Sequence, residues 1–139
     1  MLELAAADPQ RLSRDELAQR QQLPPRYLEA ILRDLGRERL LAGHRGVAGG
    51  YELTRPAAEI TVADVSRAVN GPLALIGQQR PGTVDYQGAS EHLGELWVGL
   101  RAAIRSVLEH VTLADLLEGE LPPTIREMLD DSGAWEPSG

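Results

Sequence analysis

Apolar residues recur at helical spacing along most of this chain, and the rhythm breaks in a glycine-rich stretch before residue 51 and again over residues 73–90. Ser13 and Glu16 stand in the S-x-x-E spacing of a capping box, in which each side chain satisfies a free backbone N–H of the first helical turn. Leu12 and Leu17 flank that box as a hydrophobic staple, so a helix is predicted over residues 14–21. Leu23-Pro24-Pro25 stops it: Pro24 disfavours helical backbone at Leu23, and Pro25 suits the first position of a new helix. The second helix buries Leu28, Ile31, Leu32 and Leu35, spaced i, i+3, i+4, i+7. Its opposite face carries Arg26, Glu29, Ala30, Arg33 and Arg37. That helix either closes at Gly36 as a left-handed cap or runs on to Arg39.

Leu40-Leu41-Ala42 and Tyr51-Glu52-Leu53 read as two strand ends around the loop 43–50, GHRGVAGG. Glycine admits positive φ and close approach of another backbone. Arg45 at the tip is a residue suited to a minor groove or a phosphate. A nucleotide-phosphate loop would need a helix directly after these glycines, and none follows. Two short helices, a tight turn and a hairpin are the parts of a winged helix-turn-helix. The expected fold is therefore mainly α with a small β-hairpin wing.

The flanks add helices. MLELAAAD reads as the end of a helix with Leu2, Leu4 and Ala5 to Ala7 inward, ending near Asp8-Pro9. Thr61 and Asp64 form another capping box, stapled by Ile60 and Val65, and open a helix to Val69 that stops at Asn70-Gly71-Pro72. Its Val62, Val65, Ala68 and Val69 should pack on the winged-helix core. Residues 73–90 are rich in Gly, Pro and Gln without a lasting period, as in a loop or partly disordered segment. From Ser90 to about His110 comes the longest helix, with one stripe of Leu93, Leu96, Trp97, Leu100, Ile104, Val107, Leu108 and Val111. A single winged helix leaves little surface to cover such a stripe, so we read it as a dimerisation helix rather than an internal core helix. A cap at Thr112–Asp115 starts a short helix to Gly119. Pro122-Pro123-Thr124 starts another through Leu129, and DDSGAWEPSG reads as a disordered acidic tail with Trp135 tucked back. The expected divisions are 1–72, a winged helix-turn-helix; 73–90, a loop; 91–119, the dimerisation helix and its successor; and 120–139, a partly disordered tail.

Composition narrows the chemistry. With 42% apolar residues and no Phe, a core must come from Leu, Val, Ile and Ala. No apolar run reaches membrane-helix length and no signal peptide is present, so the cytoplasm is the expected compartment. The absence of cysteine from the chain excludes disulfides, thiolate zinc sites and cysteine nucleophiles within it. A net charge of −7 counts against nucleic acid, but its distribution does not. Residues 1–56 hold nine arginines against eight acids, while residues 57–139 hold five against thirteen. All fourteen basic side chains are arginine, whose planar donor fork suits phosphates and base edges. Glu91, His92 and Glu95 have metal-ligand spacing, although acids at a helix front are commonly there for the dipole; no metal or other cofactor is expected. No triad, P-loop or H-E-x-x-H motif occurs, and an enzyme is not expected.

Several segments, RYLEAIL (26–32), HRGVAGGYELTRP (44–56), EITVADVSRAVNGPL (59–73), LW (96–97) and VTLADLL (111–117), resemble the Rrf family of bacterial winged-helix repressors. These are the IscR-, NsrR- and CymR-like regulators. The resemblance covers nearly all of the chain except its last dozen residues. It implies a homodimer that places two recognition helices on a palindromic operator. It also implies that 73–90 replaces a loop which, in iron–sulfur members, supplies three cluster-ligating cysteines; this chain has none. Members usually carry more chain before the first helix. Met1 would fall inside that helix, through truncation, a start assigned too late, or a shortened first helix.

On this reading Pro25, Arg26 and Tyr27 open the recognition helix, with Arg26 and Arg33 directed to guanine or phosphate. Tyr27 meets a phosphate or packs beneath the helix. Glu29 accepts from a cytosine amino group or pairs with Arg33 at i+4. Arg45 and Gly46 enter the adjacent minor groove, and Ser13 and Gln22 add backbone contacts. The expected function is a sequence-specific, cluster-free homodimeric regulator, a repressor, answering to an unknown small-molecule or protein effector. The competing expectation is a winged-helix protein-interaction module that has lost DNA binding.

Overall fold

A computed structural model of the chain describes residues 1–73 and 84–136. In chain order it contains α1 (Leu2–Ala7), α2 (Arg14–Gln21), α3 (Pro25–Arg37), β1 (Leu41–His44), β2 (Gly50–Leu53), α4 (Val62–Asn70), α5 (Leu93–Leu108), α6 (Leu113–Glu118) and α7 (Pro123–Leu129). Single 3-10 turns occupy Ala57–Glu59, Gly88–Ser90 and Ser132–Trp135.

Each expected capping box forms. The Ser13 hydroxyl accepts from the Glu16 N–H at 3.2 Å, and the Glu16 carboxylate accepts from the Ser13 N–H at 2.7 Å. Thr61 with Asp64 and Thr112 with Asp115 repeat the arrangement at α4 and α6. These reciprocal bonds set where three helices begin.

The ends of α2 and α3 share one device. At α2, Gln22 takes φ 51°, its N–H reaches the Gln19 carbonyl at 3.3 Å, and the Leu23 N–H reaches Ala18 at 3.0 Å. At α3, Arg39 takes φ 57°, with Arg39 N–H to Gly36 and Leu40 N–H to Leu35, both at 3.0 Å. Both are Schellman motifs, in which a left-handed residue lets the last carbonyls find donors. Of the two endings open for α3, the helix continues through Gly36, and the left-handed cap falls on Arg39. The buried pair Leu35 and Leu40 is the hydrophobic contact that accompanies such a cap.

β1 and β2 pair antiparallel from Leu41↔Leu53 to His44↔Gly50. A third backbone joins them: Leu12 and Tyr51 exchange two hydrogen bonds, of 3.1 and 2.8 Å. The wing is thereby tied to the residue just before α2.

Leu4, Leu12, Leu17, Leu28, Leu32, Leu35, Leu40, Leu41, Ile60 and Leu113 form one core, with Ile60 fully buried. In α1 only Leu4 is buried; Leu2 and Ala6 are exposed, contrary to the inward face expected for both. Six residues complete fewer than two turns, so only part of one face can meet the core.

The long helix is shorter than expected and differently used. Gly88–Ser90 form a 3-10 turn, α5 begins at Leu93 and it ends at Leu108. No residue of α5 is buried within the chain. Leu93, Trp97, Ile104, Val107 and Leu108 are half-buried, whereas Leu96 (61%) and Leu100 (47%) stand exposed. Val111 departs from the stripe. It is 5% exposed, and its carbonyl accepts from the Val62 N–H at 2.8 Å, in the short bridge where Thr61 pairs Thr112. Val111 therefore belongs to the chain's own core and leaves the set available to a partner, because the backbone turns inward there before α6.

Of the loop expected over 73–90, residues 74–83 lie outside the described residues, as do 137–139 of the tail. Within the described tail, Asp131 caps the Gly133 N–H at 3.0 Å, and the Trp135 indole donates to the Leu129 carbonyl at 2.8 Å. Residues 130–136 are thus folded onto the end of α7, although Trp135 is 71% exposed.

Candidate nucleic-acid interface

The exposed face of α3 begins at Pro25 and carries Arg26, Tyr27, Glu29, Ala30, Arg33 and Arg37 outward. Leu28, Leu32 and Leu35 hold the opposite face against the core. Among the described residues, Arg26 and Arg33 enter no ion pair or side-chain hydrogen bond, while Arg37 pairs with Asp34 at 3.1 Å. Tyr27 is 59% exposed, so it projects outward rather than packing beneath the helix.

Glu29 does not find Arg33. Its carboxylate lies 3.9 Å from Arg14 at the start of α2, which brings that residue onto the rim of the α3 face. Arg14 also lines a concavity between the start of α2 and the wing, shared with Ser13, His44, Arg45, Gly46 and Gly50. Three residues singled out from sequence, Ser13, Arg45 and Gly46, thus meet in one place. Ser13 is half-buried and its hydroxyl donates to Glu16 at 2.7 Å, so it is held by the cap. Gln22 is exposed, and its backbone is given over to the α2 turn.

The base of the wing is braced electrostatically. Glu52 on β2 accepts from Arg11 at 2.7 Å and lies 2.7 Å from the Nε2 of His44 on β1. The Arg11 guanidinium, followed by His44, holds the Glu52 carboxyl below its ordinary range. Serine's two hydrogen bonds do the same for Glu16. The loop itself needs its glycines. A Cβ on Gly49 would collide with the His44 carbonyl, and Gly50 has φ +138° directly against the Leu12 backbone. Arg45 extends into solvent at the tip.

Sequence reasoning missed Arg11, Arg14 and His44. Their roles come from partners 41, 15 and 8 positions away, beyond the reach of periodicity. His92 and Glu95 stand 3.8 Å apart and almost fully exposed, and among the described residues no three potential metal ligands gather. No helix of the described residues is long and apolar enough to cross a membrane.

A helix-turn-helix whose second helix shows arginines to solvent, followed by a hairpin wing joined back to the first helix, defines a winged helix-turn-helix protein. The sequence model of the Rrf2 family, described as "Iron-dependent Transcriptional regulator", matches residues 1–119. The chain is 44% identical over 98% of its length, and 85% of the relative's, to Rv1287 of Mycobacterium tuberculosis (strain H37Rv), itself provisionally named an HTH-type transcriptional regulator. It is 33% identical to the HTH-type transcriptional regulator IscR of Cereibacter sphaeroides, over 78% of this chain and 71% of that one. Among solved structures, it is similar to CymR, the global cysteine regulator of B. subtilis, with TM-score 0.68 and 30% identity over 83% and 84% of the two chains. The chain belongs to the Rrf2 family of transcriptional regulators, and these relatives are named as regulators rather than enzymes.

Proposed function

We propose that this protein is a homodimeric, sequence-specific DNA-binding repressor that works in the cytoplasm without an iron–sulfur cluster. The observation that carries the reading is the exposed face of α3, where Arg26 and Arg33 meet no ion-pair or side-chain hydrogen-bond partner among the described residues, beside a wing that carries Arg45. Unpaired arginines can exchange water for phosphate and base edges without first breaking an internal ion pair. α3 would lie in the major groove, with Arg26, Glu29 and Arg33 toward bases and phosphates, and Arg45 and Gly46 in the adjoining minor groove. The apolar residues that α5 leaves open, Leu96 and Leu100 foremost, would meet a second copy. That pairing presents two recognition helices to a palindrome.

The cluster-free reading rests on ligand chemistry. Clusters in this family are held through thiolates, and the chain contains no cysteine. The family model is described as iron-dependent; without thiolates to hold a cluster, this member would answer to a different signal.

Fluorescence anisotropy with duplexes selected from a random pool, over a series of salt concentrations, tests the reading. A palindromic consensus bound with a steep salt slope is the expected result, and Arg33→Ala should weaken binding and flatten the slope. Salt-insensitive or absent binding, with Arg33→Ala neutral, would favour a protein-interaction module instead.

A further inference from the structure

Resting on the DNA-binding reading, we infer that Arg14 is a positioning residue that links the recognition helix to the wing. It neutralises Glu29 on one side and clamps the phosphate that runs between the two grooves on the other. The juxtaposition is specific to the fold. Arg14 opens α2, its terminal nitrogen lies 3.9 Å from the Glu29 carboxylate on α3, and its side chain lines the concavity that contains Arg45 and Gly46. Among the described residues it is the arginine that touches both parts of the proposed interface.

Glu29 creates the need for it. A carboxylate facing a polyanion is repelled unless it accepts a hydrogen bond from a base, and a cytosine amino group supplies one only at matching sequences. With Arg14 beside it, the carboxylate adds little repulsion while the protein samples other sequences. The guanidinium has five donors. Its Nε meets Asp15 at 3.2 Å, and its terminal nitrogens retain donors for a phosphate oxygen. Side-chain exposures of 46% for Arg14 and 53% for Glu29 make the pair a poor stabiliser of the fold by itself. Its placement matters to binding.

Arg14→Gln, Glu29→Gln and the double variant, titrated by anisotropy against the selected palindrome and a scrambled duplex, test this assignment. Losing one phosphate contact lowers the salt slope by about 0.9, so affinity should fall about threefold less for Arg14→Gln than for wild type between roughly 50 and 200 mM salt. Binding should weaken on both duplexes, and Arg14→Lys should restore the slope. Glu29→Gln should tighten the scrambled duplex, and do so more strongly in the Arg14→Gln background. Wild-type binding with a steep slope that Arg14→Gln leaves unchanged would overturn the role of Arg14 alone. Wild-type binding without salt dependence would overturn the DNA reading, and this inference with it.

Discussion

Replacing Gly50 by alanine should detach the wing from the helix that precedes it. Gly50 sits at φ +138°, a backbone region that L-residues rarely enter, and a Cβ there would lie 2.9 Å from the Leu12 carbonyl oxygen and 3.0 Å from its carbon. Both obstacles are backbone, so no side-chain rotation relieves them. Either the alanine is held in a strained conformation, at a cost of about 1–3 kcal/mol, or the strand moves. Movement sacrifices the two Leu12–Tyr51 hydrogen bonds, worth about 1 kcal/mol each. Either route costs about 1–3 kcal/mol, a large share of a typical stability of about 5–15 kcal/mol. Urea unfolding followed by circular dichroism, at one fixed protein concentration, reads the loss. With a slope of about 1–3 kcal/mol per molar urea, a loss near about 2 kcal/mol should lower the midpoint by roughly 0.7–2 M. Gly46→Ala is the control. Gly46 also has positive φ, but nothing lies within 4 Å of the added Cβ, so only the conformational cost applies. A Gly50→Ala midpoint as high as that of Gly46→Ala would refute the steric argument.

Three further outcomes follow from the structure. Glu16, Glu52, Glu109 and Asp115 all have carboxyls held below their ordinary values by hydrogen bonds, so the charged forms favour the fold. The stability they contribute should be complete above the ordinary value of 4.5 for glutamate and lost as pH falls through the lower folded values; a melting temperature flat from neutral pH down to about 3 would contradict this. Leu100→Glu places a charge on a side chain already 47% exposed, so the monomer should fold normally while sedimentation velocity shows a shift from dimer to monomer. An unchanged sedimentation coefficient in that variant would remove α5 from the interface. Ile60→Ala empties a fully buried site beneath α4 and α6, and should cost about 2–5 kcal/mol by the same urea assay; a midpoint within experimental error of wild type would deny Ile60 its place in the core.

What could be read from the sequence was local. Ser13 with Glu16, Thr61 with Asp64 and Thr112 with Asp115 act across three residues, and helix starts set by such short-range bonds are visible in the chain itself. The stripe of Leu28, Ile31, Leu32 and Leu35 likewise announced which side of α3 faces the core, and therefore which side shows arginine. The hairpin was legible because glycines at 43, 46, 49 and 50 admit the positive φ and close backbone approach that so short a reversal between two strand ends requires.

Only closure of the tertiary structure decided the rest. Leu12 reads as a staple, yet it also pairs with Tyr51 as the wing's third backbone. Arg11 and Glu52 meet across 41 residues, and Glu29 turned to Arg14 rather than to Arg33 on its own helix. Val111 continues the period of α5, but α5 ends at Leu108 and the following bridge carries Val111 into the core. Periodicity reports which face of a regular helix is apolar. It carries no information about what a face meets, because the partner's position depends on how the whole chain packs.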